Sequence, residues 1–297
     1  MTIEFNCPNC GSLIAFDAKY AGKRAKCLTC GQKLIIPAAS FTKPEKVKPP
    51  TEPKGVPAPG FYRAVFIDTW KVIFHPKSVT PLGFVIAVVC FKFFLAGACC
   101  LNYVASVVIW GWLFGFYLSL IYDTAFDEDV LPEIHLGSAL EFVWNILQPF
   151  LVFFYTLFLV ELPFIIAFAL LHGDDVTPAN LWSGGTALHR FLQALVIGGL
   201  FVFPAAVLTT AVGKDFLLLR PDYLLAPIVR AFIPYILVVS LLTAACLLEY
   251  HTTQSTGADP LTLTRDLALN LAVQLVAIFA MRATGLLYRH YACYFKW

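Results

Sequence analysis

Residues 79–122 read VTPLGFVIAVVCFKFFLAGACCLNYVASVVIWGWLFGFYLSLIY, one apolar tract broken only by Lys92 and Asn102. As a single helix it would be about 65 Å long, twice the roughly 30 Å hydrocarbon core of a bilayer. The tract therefore reads as a tight hairpin of two spans, 82–100 and 103–122, turning near Asn102. Four more apolar runs follow, at 146–171, 191–212, 231–249 and 267–288. The last is the weakest, because Asn270, Gln274 and Arg282 interrupt it. Pro163, Pro204 and Pro234 fall inside spans, where each frees a backbone carbonyl and permits a kink. Gly198-Gly199 allows close helix approach.

Composition agrees with this reading. Of 297 residues, 59% are apolar and 13% charged, against about 25% charged in a soluble domain. The net charge of +2 sets up no global field for nucleic acid. Met1-Thr-Ile-Glu-Phe5 has neither a basic nor an apolar leader region, so no signal peptide is expected. The cations are unevenly placed. Lys and Arg concentrate before residue 79, between Lys214 and Arg230, and at Arg282, Arg289 and Lys296, whereas the intervening loops hold Arg190 and Arg265. With six spans, the positive-inside rule puts both termini in the cytosol. The loop between spans two and three carries acids instead (Asp123, Asp127, Glu128, Asp129, Glu133, Glu141) and reads as a solvated turn. Acids weigh little in orientation.

Ahead of the spans stand Cys7-Pro-Asn-Cys10-Gly and Cys27-Leu-Thr-Cys30-Gly. Two C-x-x-C pairs at this separation suit four thiolates on one tetrahedral Zn2+. A full thiolate shell leaves no position for water, so the site is expected to be structural, not catalytic. Persistent thiolates also indicate a reducing compartment, which agrees with a cytosolic N-terminus. Residues 1–37 thus read as a small β-type zinc ribbon, and 38–60 as a Pro/Lys-rich flexible linker. Residues 61–78 read as an interfacial amphipathic helix with Phe66, Ile67, Trp70 and Phe74 on one face, and 79–297 as the six-span membrane domain. The expected fold is an all-α polytopic membrane bundle with a small N-terminal zinc ribbon.

The ribbon continues as Phe16-Asp-Ala-Lys-Tyr20-Ala-Gly22-Lys-Arg-Ala-Lys26 and ends Leu34-Ile-Ile-Pro37. It resembles the four-cysteine zinc ribbons found at the N-terminus of many bacterial proteins of unrelated function. Three further pieces are Asp127-Glu-Asp-Val-Leu-Pro132-Glu133, Leu219-Arg-Pro-Asp-Tyr-Leu-Leu-Ala-Pro227 and Met281-Arg-Ala-Thr-Gly-Leu-Leu-Tyr-Arg-His290. In these, residues 61–297 are loosely similar to the Yip family of multi-span proteins. The resemblance implies a membrane-organising role in a bacterial inner membrane and carries no catalytic residues.

Lys92 and Glu161 fall near the middle of their spans, where an unpaired charge is costly. They are expected to approach each other or to share a polar cavity, as a structural ion pair or as a transport site. His172, Asp174 and Asp175 have cation-ligand chemistry, but sit where a solvated loop is the simpler reading. No H-E-x-x-H, G-x-S-x-G, P-loop or dinucleotide fingerprint occurs, which disfavours an enzyme. The favoured expectation is a non-enzymatic anchor or adaptor, whose basic ribbon (Lys19, Lys23, Arg24, Lys26, Lys33) meets a protein partner. A transporter or permease using Lys92 and Glu161 is the alternative. The bilayer is the second partner, nucleic acid is disfavoured, and a homo-oligomer is compatible with the sequence.

Overall fold

Each long apolar run of the sequence forms helix in the computed structural model. It describes residues 2–6, 13–27, 33–36, 56–95, 101–133, 139–171, 176–177, 180–252 and 260–295. The chain divides into two units, Met1–Pro53 and Lys54–Trp297.

In the first unit, β1 (Thr2–Asn6) pairs antiparallel with β2 (Leu13–Asp17), and β3 (Arg24–Lys26) with β4 (Lys33–Ile35). The register sets Phe5 opposite Ile14. Phe5 also stacks on Phe16, with ring centroids 6.3 Å apart. Phe5, Ile14, Cys27 and Ile36 form a small buried cluster. Residues 37–55, most of the expected linker, lie outside the described residues.

The second unit opens at Gly60, whose φ of 97° only glycine adopts without strain. A helical stretch follows, with α1 (Phe61–Arg63), a π-helical segment (Ala64–Asp68) and α2 (Thr69–Ile73). It buries Phe61, Val65, Thr69, Val72 and Ile73 and exposes Phe66, Ile67, Trp70 and Phe74. Then come α3 (Val79–Leu95), α4 (Leu101–Ala125), α5 (Ala139–Val160), α6 (Leu162–Leu171) and α7 (Ala187–Gly213). The last three are α8 (Pro221–Arg230), α9 (Phe232–Thr252) and α10 (Pro260–Tyr291). Six helical segments are long and apolar enough to cross a membrane, so this is a multi-pass membrane protein.

The structure redraws several boundaries. Asn102, expected at the first turn, lies in the opening turn of α4, and residues 96–100 lie outside the described residues. The third run is two helices, not one. Pro163 has no N–H for the Leu159 carbonyl, and α5 gives way to α6 at Glu161. Pro234 acts likewise on the Arg230 carbonyl, and the chain breaks there between α8 and α9. Helix α8, in a segment expected to be loop, starts at Pro221, has Asp222 in its first turn and Arg230 in its last, and buries Leu224 and Ile228.

The largest difference concerns α10. Its polar residues made it the weakest span by sequence, yet it is the central helix. Over its most apolar window 56% is buried, against 11% for α5. It packs on α3, α4, α7, α9 and the α1–α2 stretch. Its approach to α4 is close enough to require Gly285. A Cβ there would stand 2.6 Å from the Ile121 carbonyl oxygen and 2.8 Å from Thr124 Cβ. Around this centre, large apolar residues such as Phe91, Phe154, Phe158, Leu170, Ile197 and Leu200 face outward, as a lipid-covered surface requires.

Gly285→Val is expected to destabilise the bundle by about 1–3 kcal/mol through overpacking. Gly83→Ala, where a Cβ meets nothing within 4 Å, should be neutral or slightly stabilising. Unfolding midpoints of the detergent-purified variants test this; equal midpoints would contradict the close α4–α10 contact.

Candidate functional site

The first candidate is the cysteine set. Cys7 and Cys10 come between β1 and β2 in the chain, and Cys27 and Cys30 between β3 and β4. Cys7, Cys10 and Cys30 lie outside the described residues. Cys27 follows β3 directly and is buried with Phe5, Ile14 and Ile36. Nearby, Lys23, Arg24, Lys26 and Lys33 are exposed, and Lys19 pairs with Asp17 at 3.2 Å.

The second candidate is the intramembrane charge pair. Lys92 on α3 donates to Glu249 on α9. Its ammonium also stands 4.7 Å from the centre of the Trp110 ring on α4, within cation–π range. The other Glu249 oxygen accepts from Gln274 Nε2 on α10 at 3.2 Å. Tyr117 on α4 in turn donates to Gln274 Oε1 at 2.5 Å. One chain of polar contacts therefore joins α3, α9, α10 and α4. The Lys92 and Glu249 side chains are 15% and 16% exposed, so each is largely desolvated and depends on the other.

Glu161 is not part of this chain, and Lys92 finds its carboxylate on α9 instead. Glu161 sits at the α5–α6 break, with both carboxylate oxygens buried and without a hydrogen-bond partner among the described residues. The carboxylate lies over Gly199 of α7, where a Cβ would overlap it. Mid-span depth marked both residues as costly, but depth does not say which way a side chain faces. Sequence reasoning missed Glu249, which stood at the boundary of its expected span, and the partner role of Gln274. His172, Asp174 and Asp175 lie outside the described residues.

A third group lies two turns further along α10. Arg282 is 1% exposed, and its Nη2 donates to Asp129 Oδ1 at 2.6 Å. Arg289 Nη1 reaches the same oxygen at 3.2 Å and its Nε pairs with Asp127 at 2.5 Å. Asp127 and Asp129 are thus not merely solvated, as the sequence suggested, but clasp α10. Burial pushes the Asp129 carboxyl upward, but the hydrogen bond and charge of Arg282, aided by Arg289, outweigh it and hold the group below its ordinary value. Arg282 Nε and Nη1 are buried and have no hydrogen-bond partner among the described residues.

Comparison with family models, curated proteins and solved structures finds no significant match to this chain.

Two outcomes follow from these contacts. Lys92→Met and Glu249→Leu should each destabilise by on the order of 3 kcal/mol, and the double variant by less than their sum. Lys92→Met combined with Glu161→Leu should be additive; a double-mutant cycle on detergent unfolding that couples Lys92 to Glu161 instead would refute the pairing. For Asp129, the folded-state pKa lies below the unfolded value, so its pairing stabilises the fold above the ordinary 3.8 and is lost as pH falls through the lowered value. The stability gap between wild type and Asp129→Asn should therefore be flat near neutrality and narrow only below about pH 4. A gap that closes by pH 6 would exclude this account.

Proposed function

We propose that this protein is a non-enzymatic membrane anchor or adaptor, whose N-terminal unit holds one structural Zn2+ and binds a protein partner in the cytosol. The observation that carries this reading is the order of strands and cysteines. Each C-x-x-C pair falls between the two strands of an antiparallel hairpin. Such turns can present two sulfurs each to a tetrahedral ion, so the donor set fits zinc. In this reading Cys7, Cys10, Cys27 and Cys30 hold the ion, which supplies folding energy beyond that of the small apolar cluster of the described residues. The exposed lysines and Arg24 suit an acidic partner surface. The bundle adds support, because Lys92 is neutralised internally by Glu249 and not held apart as a carrier site. The similarity to the Yip family points to the same kind of membrane-organising role, in a bacterial inner membrane with both termini inside.

One observation favours a second reading. Glu161, at a helix break with both carboxylate oxygens buried and without a hydrogen-bond partner among the described residues, is the kind of group that transporters use for a cation or proton. This would place a transport site at Glu161 and Gly199, apart from Lys92.

The intact protein should retain one zinc per chain on purification and recover a specific partner from native membranes. A Cys27→Ser/Cys30→Ser form matched for membrane insertion should lose both. A partner retained equally by the two forms would argue against the adaptor role. Proton- or cation-coupled flux in liposomes that Glu161→Gln abolishes would favour the second reading.

A further inference from the structure

Between the α1–α2 stretch and the later turns of α10 lies a cavity of about 610 Å3. Its wall carries Arg63, Lys71, Arg282 and Arg289 against Asp68 and Asp129, and with Asp127 behind Arg289 the permanent cations still exceed the carboxylates by one. His75 and His290 also line it. Lys71 is held by Asp68 at 2.5 Å and Arg289 by Asp127 and Asp129. Arg63 has no ion pair among the described residues and is exposed. The decisive group is Arg282. A guanidinium has five N–H donors, and here one nitrogen is engaged by Asp129 while Nε and Nη1 are buried without acceptors among the described residues. Buried donors of this kind are normally satisfied, and leaving them bare is costly.

We infer that this cavity binds the phosphate group of an anionic phospholipid, with Arg282 at its floor and Arg63 at its rim. A phosphate oxygen supplies the acceptors that Arg282 lacks, and guanidinium groups match phosphate in bidentate fashion. The excess positive charge favours a net negative headgroup over a zwitterionic one. The volume is on the scale of small-molecule sites, about 300–1,000 Å3, and exceeds what a bare phosphate ion fills. The neighbouring surface is suited to acyl chains and the interface. Phe66, Ile67, Trp70 and Phe74 are exposed on the same helical stretch that contributes Arg63 and Lys71. Aromatic residues favour the headgroup level of a bilayer, and basic pockets at helix ends hold anionic headgroups there.

The test uses the full chain, purified in a non-ionic detergent, with dioctanoyl phosphatidylglycerol, dioctanoyl phosphatidylcholine and inorganic phosphate as probes. Phosphatidylglycerol should bind at least tenfold more tightly than phosphatidylcholine. Arg63→Gln should weaken it about tenfold, as loss of one charge-assisted contact does, and Arg282→Gln should remove specific binding. Should Arg282→Gln fail to fold, Arg63→Gln still decides, because Arg63 is exposed and has no ion pair among the described residues. Inorganic phosphate that displaces the lipid in an Arg282-dependent way would keep the phosphate chemistry and assign a soluble source. Lipid that resists phosphate would assign the membrane. Equal binding of both lipids, or binding unchanged in both variants, would overturn the inference.

Discussion

The bundle depends on one constraint: the polar side chains of its most buried helix must find partners on the helices around it. Asp266, Asn270, Gln274 and Arg282 stand four or eight residues apart along an i, i+4 ridge of α10, which winds about 40° around the helix per step, and all are buried. Ile278 and Leu286 fill the same row between and beyond them. A row of this kind cannot face lipid, where an unpaired polar group costs several kcal/mol. It turns inward, and two of its groups then select neighbours on other elements. Gln274 binds Tyr117 on α4 and Glu249 on α9, and Arg282 binds Asp129 beyond the end of α4. Asn270 turns back to the Asp266 carbonyl at 3.0 Å. Lys92 joins through Glu249, which brings in α3. Apolar packing alone gives weak preference among helices already surrounded by lipid, so these contacts fix which helix lies where.

The first unit obeys a different balance. Its strands are three to five residues long, and among the described residues its buried apolar cluster is Phe5, Ile14, Cys27 and Ile36. Burial of that size offsets little of the entropy lost on ordering the chain. The proposed metal would act on this deficit, since thiolates gathered by a cation order two hairpins together. The consequence is a division of labour by solvent. Lipid-facing helices hold the membrane part together through buried polar pairs, while a small water-exposed unit would rely on metal coordination.

The membrane architecture was legible in the sequence because span length and apolarity are one-dimensional properties. Val79–Tyr122 is too long for one crossing whatever its neighbours do. Interior partners were less legible, because they depend on helix rotation and on residues far apart in the chain. Lys92 and Glu161 shared an expected depth, but Glu161 faces Gly199 and Lys92 faces α9. Hydropathy treats Asn270, Gln274 and Arg282 as defects in a span. The four-residue spacing of Asn270 and Gln274 was the available sign that these two share a face. The acidic loop carried a similar sign. It contains Asp127 and Asp129, and Arg282 and Arg289 belong to the other segment that the charge pattern assigns to the same side. Three of the four cysteines fall outside the described residues, so for them the sequence pattern itself remains the main support.

Polar saturation separates the two charged regions of α10 in kind. Around Gln274 the contacts close on themselves. The amide uses both its oxygen and its nitrogen, and Glu249 uses both oxygens, one of them for Lys92. Each of these groups has a partner, and a network of this sort acts as a fastener. Eight residues on, about 12 Å along the helix, Arg282 has two nitrogens without acceptors among the described residues and borders a cavity with an excess of cations. A fold selected only for stability gains nothing from burying an arginine whose donors stay bare, since an apolar residue of similar volume would cost less there. The intramembrane lysine, which drew attention first because charges in spans are rare, is therefore the structural group. The arginine at the end of the same helix is the one whose chemistry is still open to a ligand.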